Sequence, residues 1–207
     1  MFRYGSALYR LMTLVSNLII LNLLWIVTSL PLVTLGASTT AMYYVTMQYV
    51  KKQDDSVFRA YFRAFKENLK QATVLWIPHG LMCAALAAEM YYLSLGQTDS
   101  LWWLIFGILG GLFCMVSGML YPMLARYRNT TRAIVINSIN LSLRNLFPML
   151  CVTILNLAPV VLLMQFTGTF LYLGLVWTFG GFSLIAYVNS AILLGVFKKY
   201  GSGEPEE

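Results

Sequence analysis

Long apolar stretches alternate with short basic segments along the whole chain, and this alternation constrains the fold more than any other feature. All 14 Lys and Arg residues fall in segments that can lie on one side of a membrane. Because basic residues accumulate in the cytoplasmic loops of membrane proteins, their distribution predicts an orientation as well as a structural class. The sequence therefore predicts an integral membrane protein with both termini in the cytoplasm.

The amino-acid composition agrees with this class. The chain is 59% hydrophobic and 11% charged, whereas a soluble domain carries roughly 25% charged residues to cover its surface. Most of the 207 residues belong to the apolar stretches, so we expect a single membrane domain over residues 1–207. The net charge of +6 comes from basic residues at the ends of apolar runs, where they meet anionic lipid headgroups. It therefore predicts contact with membrane lipids and no nucleic-acid binding.

The lengths of the apolar stretches predict an all-α protein with six transmembrane helices arranged as three hairpins. An apolar helix needs roughly twenty residues to cross the hydrocarbon core. The predicted spans are residues 11–30, 32–50, 71–95, 101–124, 146–166 and 170–197, and residues 200–207 form a polar tail. Residues 32–50 are short for a span, and a re-entrant hairpin is the competing interpretation. With six spans, the three external links hold Asp99 as their only charge.

The segment between the second and third spans, residues 56–70, predicts a basic amphipathic helix. At 100° per residue its apolar side chains share an arc of roughly 140°, and most of its basic side chains lie on the opposite side. A helix of this kind lies in the membrane interface, and the alternative is that part of it docks a partner protein. The residues predicted for this role are Phe58, Arg59, Tyr61, Phe62, Arg63, Phe65 and Lys66.

Few polar residues lie within the predicted spans, and these residues are the candidates for a polar site in the membrane. The turn after Pro31 carries hydroxyls and small residues, which are typical of close helix packing or of a broken helix that holds a ligand. His79 lies near the middle of the third span, where an ionisable residue is costly, although a neutral His can simply bond a neighbouring carbonyl. The candidates are Thr34, Gly36, Ser38, Thr39, His79 and Glu89.

The sequence predicts neither an enzyme nor a cofactor or metal site. The phosphate-binding pattern GxxxxGK[ST], the metalloprotease pattern HExxH and the nucleophile elbow GxSxG are all absent. Cys83, Cys114 and Cys151 lie inside apolar runs without CxxC spacing. We expect these cysteines to behave as small apolar residues.

Three segments resemble the YesL-like family of bacterial multi-pass membrane proteins. They are NLIILNLLW, SLPLVTLGASTTAMYYV and FRAFKENLKQATVLW, and the resemblance is most specific over residues 17–76. The family has no assigned biochemical activity, but its genes often lie beside those for carbohydrate ABC importers and polysaccharide-degrading enzymes. The resemblance therefore implies a role in oligosaccharide uptake and supplies no catalytic or binding residue.

Three functions agree with these expectations. The leading hypothesis is a non-enzymatic accessory subunit of a carbohydrate ABC importer in the cell membrane, which contacts the permease subunits laterally. The second is a small transporter or channel that acts alone through self-association into an oligomer. The third is a membrane-sited regulator of sugar utilisation, for which the predicted cytoplasmic surface is small.

Overall fold

The computed structural model describes residues 7–53, 56–95, 100–165 and 174–200, and this part of the chain is helical without any strand. Its α-helices are α1 (Ala7–Ser29), α2 (Leu35–Val50), α3 (Val57–Ser94), α4 (Ser100–Arg126), α5 (Thr131–Arg144), α6 (Leu146–Gln165) and α7 (Phe182–Lys199). A 3-10 turn, Leu32–Thr34, precedes α2, and a π-helical turn, Trp177–Gly181, precedes α7. The predicted all-α class is confirmed.

Several of these helices are long and apolar enough to cross a membrane. They are Leu8–Ser29, Val57–Leu93, Leu101–Arg126 and Gly174–Lys199, and the bent pair of α5 and α6 makes a fifth if it is counted as one span. Only 6% to 39% of the residues in their most apolar windows are buried inside the protein. The chain therefore has four to five candidate spans, and the predicted number of six is not reached in the described residues.

The predicted second span, residues 32–50, differs from the prediction in the length and burial of its helix. It begins with the 3-10 turn, and α2 itself has 16 residues. At the α-helical rise this is about 24 Å, which is shorter than a hydrocarbon core of about 30 Å. Helix α2 contacts α1, α3, α4 and α7, and more than half of its residues are buried. It therefore belongs to the protein core and exposes little surface to lipid.

The predicted amphipathic helix, residues 56–70, and the predicted third span, residues 71–95, form one continuous helix. Helix α3 runs for 38 residues and contains Pro78 without ending there. Residues 59–76 hold neither Gly nor Pro, so no helix-breaking residue separates the two predicted elements. The expectation of a separate surface helix is therefore corrected to a long helix whose first half is amphipathic.

A sharp bend at Asn145 separates α5 from α6, whose axes meet at 106°. Helix α6 matches the start of the predicted fifth span, residues 146–166. Helix α5 lies between the predicted fourth and fifth spans, where no helix was predicted. The buried side chains on α5 are Ile134, Ser138 and Ser142. Its exposed large apolar side chains are Ile136, Ile139 and Leu143. Because these two sets lie on opposite sides of the helix, α5 packs on the protein through one face and presents an apolar stripe outward.

The predicted sixth span, residues 170–197, is described from Gly174 onward. Residues 96–99 of the external link predicted at residues 96–100, and the whole link predicted at residues 167–169, lie outside the described residues. Residue 166 and residues 201–207 of the predicted tail also lie outside them.

Segments that are distant in sequence meet near the ends of the described helices. They are brought together by an ion pair, a cation–ring contact and a hydrogen bond between four helices and their flanking residues. The contacts are Arg128 to Glu67 at 3.2 Å, Arg126 to the ring of Phe197 at 5.4 Å, and Tyr200 to Asn145 at 3.4 Å. The side of the membrane on which the basic segments lie stays a prediction from the distribution of Lys and Arg.

Candidate functional site

The side chain of His79 lies between α3 and α4 and makes a hydrogen bond through each ring nitrogen. Nε2 is 2.8 Å from the hydroxyl oxygen of Ser117, and Nδ1 is 2.8 Å from that of Tyr121. Ser117 donates its own proton to the carbonyl oxygen of Phe113, 2.8 Å away, so its oxygen accepts from Nε2–H. In a neutral imidazole with its proton on Nε2, Nδ1 accepts from the hydroxyl of Tyr121. Both ring nitrogens of His79 are therefore hydrogen-bonded.

Aromatic rings surround this imidazole on three sides. The ring centroids of Trp76, Phe113 and Tyr121 lie 5.5, 5.2 and 5.6 Å from that of His79. The sulfur of Cys83 lies 3.8 Å from Nε2. Among the described residues no carboxylate bonds to the imidazole, and no group of three His, Cys, Asp or Glu side chains could hold a metal ion. The arrangement joins α3 to α4 and offers no described acid–base partner.

Gly36 lies in the same region as His79. A Cβ at Gly36 would lie 2.8 Å from the carbonyl oxygen of Ala72, 2.8 Å from Cβ of Trp76 and 3.3 Å from the ring of Tyr121. Trp76 and Tyr121 are also two of the rings around His79. The absence of a side chain at Gly36 therefore allows α2 to approach α3 closely beside the His79 site.

The hydroxyls of the predicted turn form local hydrogen bonds. Thr34 donates to the carbonyl oxygen of Thr28 at 2.6 Å, and Ser38 donates to the carbonyl oxygen of Thr34 at 3.0 Å. Thr39 accepts a hydrogen bond of 3.2 Å from the indole nitrogen of Trp25. The contacts of Thr34 with Thr28 and of Thr39 with Trp25 join this turn and α2 to α1, which supports the packing interpretation.

Glu89 is separated from the other candidates. It lies ten residues after His79 on α3, which corresponds to about 15 Å along the helix axis. Its side chain is half-buried, and no described residue donates a hydrogen bond to its carboxylate. The structure therefore does not bring Glu89 into the His79 site.

The seven residues predicted for the amphipathic face of α3 divide between two environments. Tyr61 is fully buried, and its hydroxyl lies 2.6 Å from that of Thr28 on α1. Phe65 is half-buried and stacks with Tyr61 at 6.3 Å. The exposed members are Phe58, Arg59, Phe62, Arg63 and Lys66. Part of the predicted aromatic arc is thus core, and the rest lies at the surface together with the cations.

A buried amide that sequence reasoning missed stabilises the π-helical turn before α7. Asn22 is fully buried on α1 and donates to the carbonyl oxygens of Trp177 and Thr178, 2.9 and 2.7 Å away. Its Oδ1 accepts from the backbone N–H of Ser183 at 3.0 Å. An interrupted helix leaves backbone groups without helical partners, and in an apolar setting these groups must be satisfied by other residues. Asn22 satisfies three of them.

A second missed cluster joins α2, α6 and α7. Asn189 donates from Nδ2 to Oδ1 of Asn156 at 2.9 Å and to the hydroxyl of Tyr43 at 3.2 Å. One turn away, the hydroxyls of Thr46 and Ser190 lie 2.7 Å apart. Oδ1 of Asn189 is buried and has no hydrogen-bond partner among the described residues. The signal available in the sequence was an asparagine within an otherwise apolar run, as for Asn22.

The comparisons with known proteins agree with part of the family resemblance. A family model described as "Protein of unknown function, DUF624" matches residues 18–90, which is about a third of the chain. YesL-like families carry DUF624, and the matched segment contains Asn22, Gly36, His79 and Glu89. Neither the curated proteins nor the solved structures contain a match to this chain.

Proposed function

We propose that the chain is a non-enzymatic accessory subunit of a carbohydrate ABC importer and binds the permease subunits laterally. In this proposal the chain crosses the cell membrane six times with both termini in the cytoplasm, as the distribution of Lys and Arg predicts. The other helices supply up to five crossings, so six crossings require that α2 also crosses the membrane. The observation that carries the proposal is the exposed face of the first half of α3.

This face combines aromatic and basic side chains at helical spacing. Phe58 and Phe62 are 53% and 39% exposed and lie one turn apart. Arg59 and Lys66 are exposed beside them, and no described carboxylate pairs with either. Aromatic residues and Arg are the residue types that contribute most to protein–protein binding. The face is therefore suited to a partner that offers acidic and apolar groups.

The opposite face of the same helix segment is fixed to the rest of the protein. Ala60, Tyr61 and Ala64 are buried, and Tyr61 bonds to α1 through Thr28. A docking face on such a support is ordered before the partner arrives, which reduces the entropic cost of binding. The inward contacts of α3 thus support a docking role for its outward side chains.

The polar groups inside the protein support a non-catalytic role. Both nitrogens of His79 are bonded to hydroxyls, and the hydroxyls of Thr34 and Ser38 are bonded to backbone carbonyls. Groups engaged in this way hold helices together. The identity of the partner rests on the YesL-like resemblance and its gene neighbourhood, which the DUF624 match supports only at the level of an uncharacterised family.

Affinity purification from native membranes tests the proposal. The chain carries a C-terminal tag, the membranes are extracted with a mild detergent, and co-purifying proteins are identified by mass spectrometry. We expect an importer permease in near-equal amount. The double variant Arg59→Glu and Lys66→Glu should lose the permease, because both charges on the docking face are reversed.

The matched control for this experiment is the double variant Lys51→Glu and Lys52→Glu. It also reverses two exposed charges, but it does so at the end of α2. It should retain the permease at the wild-type level. Recovery of the wild-type chain alone would contradict the proposal, and so would equal recovery of the permease with both double variants.

A stand-alone transporter is the second candidate, and one observation favours it. Oδ1 of Asn189, in the middle of α7, is a buried acceptor without a partner among the described residues, and intramembrane polar groups often mark the path of a substrate. Flux measurements with purified protein in liposomes test this candidate. Sugar or ion flux that is lost in Asn189→Leu would favour it over the accessory-subunit role.

A further inference from the structure

A cationic cleft lies where α5, α6 and the end of α7 meet. The bend at Asn145 opens a cleft of about 460 Å³, lined on one side by Arg144 and Phe147 and on the other by Gly195 and Lys199. Asn145 forms part of its wall, and its Oδ1 accepts a hydrogen bond from Tyr200 at 3.4 Å. The cleft is thus formed by segments about fifty residues apart in sequence that the fold holds together.

The two cations that line this cleft have no acidic partner among the described residues. Arg144 and Lys199 are both exposed. The ion pair in the described part of the chain joins Arg128 to Glu67, away from the cleft. Two neighbouring cations repel each other, so the cleft favours a ligand that brings negative charge.

The surroundings of the cleft are apolar, which restricts the kind of anion that fits. Leu146 and Phe147 also line the cleft and are 52% and 78% exposed. The exposed stripe on α5, which ends at Leu143, leads up to the same point. A small soluble anion makes no favourable contact with the exposed apolar side chains of Leu146 and Phe147. A phospholipid uses the cations for its headgroup and the apolar side chains for its acyl chains.

The position of the cleft relative to the membrane agrees with a lipid ligand. Helix α6 is apolar, and α5 is turned 106° away from it. When α6 crosses the membrane, α5 therefore lies close to the membrane plane, with its apolar stripe toward the lipid. Arg144 is the last residue of α5, so it lies at the depth where an in-plane helix meets a crossing helix. This is the depth of the headgroup phosphates.

We infer that the cleft between Arg144 and Lys199 binds the phosphate headgroup of an anionic phospholipid. The guanidinium and the ammonium groups bind the phosphate oxygens, and Leu146 and Phe147 contact the acyl chains. A Cβ at Gly195 would have no atom within 4 Å, so a larger side chain at this position can extend into the cleft. The site does not depend on the docking face of α3.

Native mass spectrometry of the purified full-length chain tests this inference. Dioleoylphosphatidylglycerol is titrated against dioleoylphosphatidylcholine, and the fraction of protein with one bound lipid is measured. We expect one anionic lipid to bind in clear preference to the zwitterionic lipid. The double variant Arg144→Gln and Lys199→Gln should weaken phosphatidylglycerol binding about thirty-fold, because each Lys or Arg near the membrane surface contributes about a five-fold effect.

Two further variants separate a specific site from a general effect of charge. Lys51→Gln with Lys52→Gln removes the same charge at the end of α2 and should bind phosphatidylglycerol like the wild type. Gly195→Leu leaves the charge unchanged but fills the cleft, and it should reduce binding as strongly as the Arg144 and Lys199 variant. Size-exclusion profiles and helical circular dichroism confirm that each variant is folded.

Several outcomes would overturn the inference. One is equal binding of the two lipids by the wild-type chain. Another is an equal loss in the Lys51 and Lys52 variant, which would indicate a general charge effect, and a third is wild-type binding by Gly195→Leu. Displacement of phosphatidylglycerol by millimolar inorganic phosphate would assign the cleft to a free anion instead of a lipid.

Discussion

The hydroxyl of Tyr121 and Nδ1 of His79 share a hydrogen bond of 2.8 Å, which joins α4 to α3. The two residues are 42 positions apart in sequence. Tyr121 is buried, and its ring also lies beside Gly36 of α2. A single tyrosine therefore contacts two helices at the point where the ionisable residue of the predicted third span is located.

Removal of the Tyr121 hydroxyl should destabilise the protein. In Tyr121→Phe, Nδ1 of His79 loses its donor in a part-buried site, and an unsatisfied polar group of this kind costs about 1–3 kcal/mol. Thermal unfolding in detergent, followed by intrinsic fluorescence, should show a lower midpoint. The control is Tyr92→Phe on the exposed part of α3, which should change the midpoint little. Equal midpoints for the two variants would show that the bond to His79 contributes nothing.

Replacement of Gly36 by alanine should weaken the contact between α2 and α3. The new Cβ would lie 2.8 Å from the backbone oxygen of Ala72, which cannot move aside as a flexible side chain can. Overpacking of this kind costs about 1–3 kcal/mol. Gly110→Ala is the matched control, because a Cβ there has nothing within 4 Å. The free energy of unfolding, measured in mixed micelles with denaturant, should fall for Gly36→Ala only. A fall for both variants would point to a general effect of glycine replacement.

Loss of the Asn22 amide should destabilise the turn before α7. Asn22→Leu leaves the carbonyl oxygens of Trp177 and Thr178 without the donor that the fold supplies, and we expect a loss of about 2 kcal/mol. The loss should appear as faster proteolysis near the π-helical turn, mapped by mass spectrometry. Asn17→Leu makes the same change on the same helix, at a half-buried position without a described partner. Equal cleavage of the two variants would exclude a specific role for Asn22.

The parts of the fold that the sequence predicted are those set by long apolar runs. Apolar length determines whether a helix can cross a membrane, so α1, α4 and α6 were expected near their observed positions. Helix α5 was missed because its polar residues reduce its hydrophobicity and because the helix has only 14 residues. The continuity of α3 was missed because a change from amphipathic to apolar character suggests two elements, although no residue there breaks the helix.

The candidate site was predicted at the level of single residues but not of partners. The depth of His79 in the third span singled it out, since a buried ionisable residue must be satisfied. Its partners Ser117 and Tyr121 are common residues about forty positions away. Only the packing of α3 against α4 places them within hydrogen-bond distance. The buried asparagines were missed for the same reason. An amide in an apolar run must be hydrogen-bonded, but the sequence does not show which residues are its partners.

The number of membrane crossings can be tested at Val33, in the turn between α1 and α2. Val33 is 57% exposed, so a cysteine placed there in a background without Cys83, Cys114 and Cys151 is accessible to reagents on its side of the membrane. With six crossings this turn is external, and an impermeant thiol reagent should label Val33→Cys in intact cells. Lys52→Cys should be labelled only after permeabilisation, because six crossings place it in the cytoplasm. Labelling of both Val33→Cys and Lys52→Cys in intact cells would place both ends of α2 on the external side. The short, buried α2 would then be a re-entrant helix, and the six-crossing arrangement would be wrong.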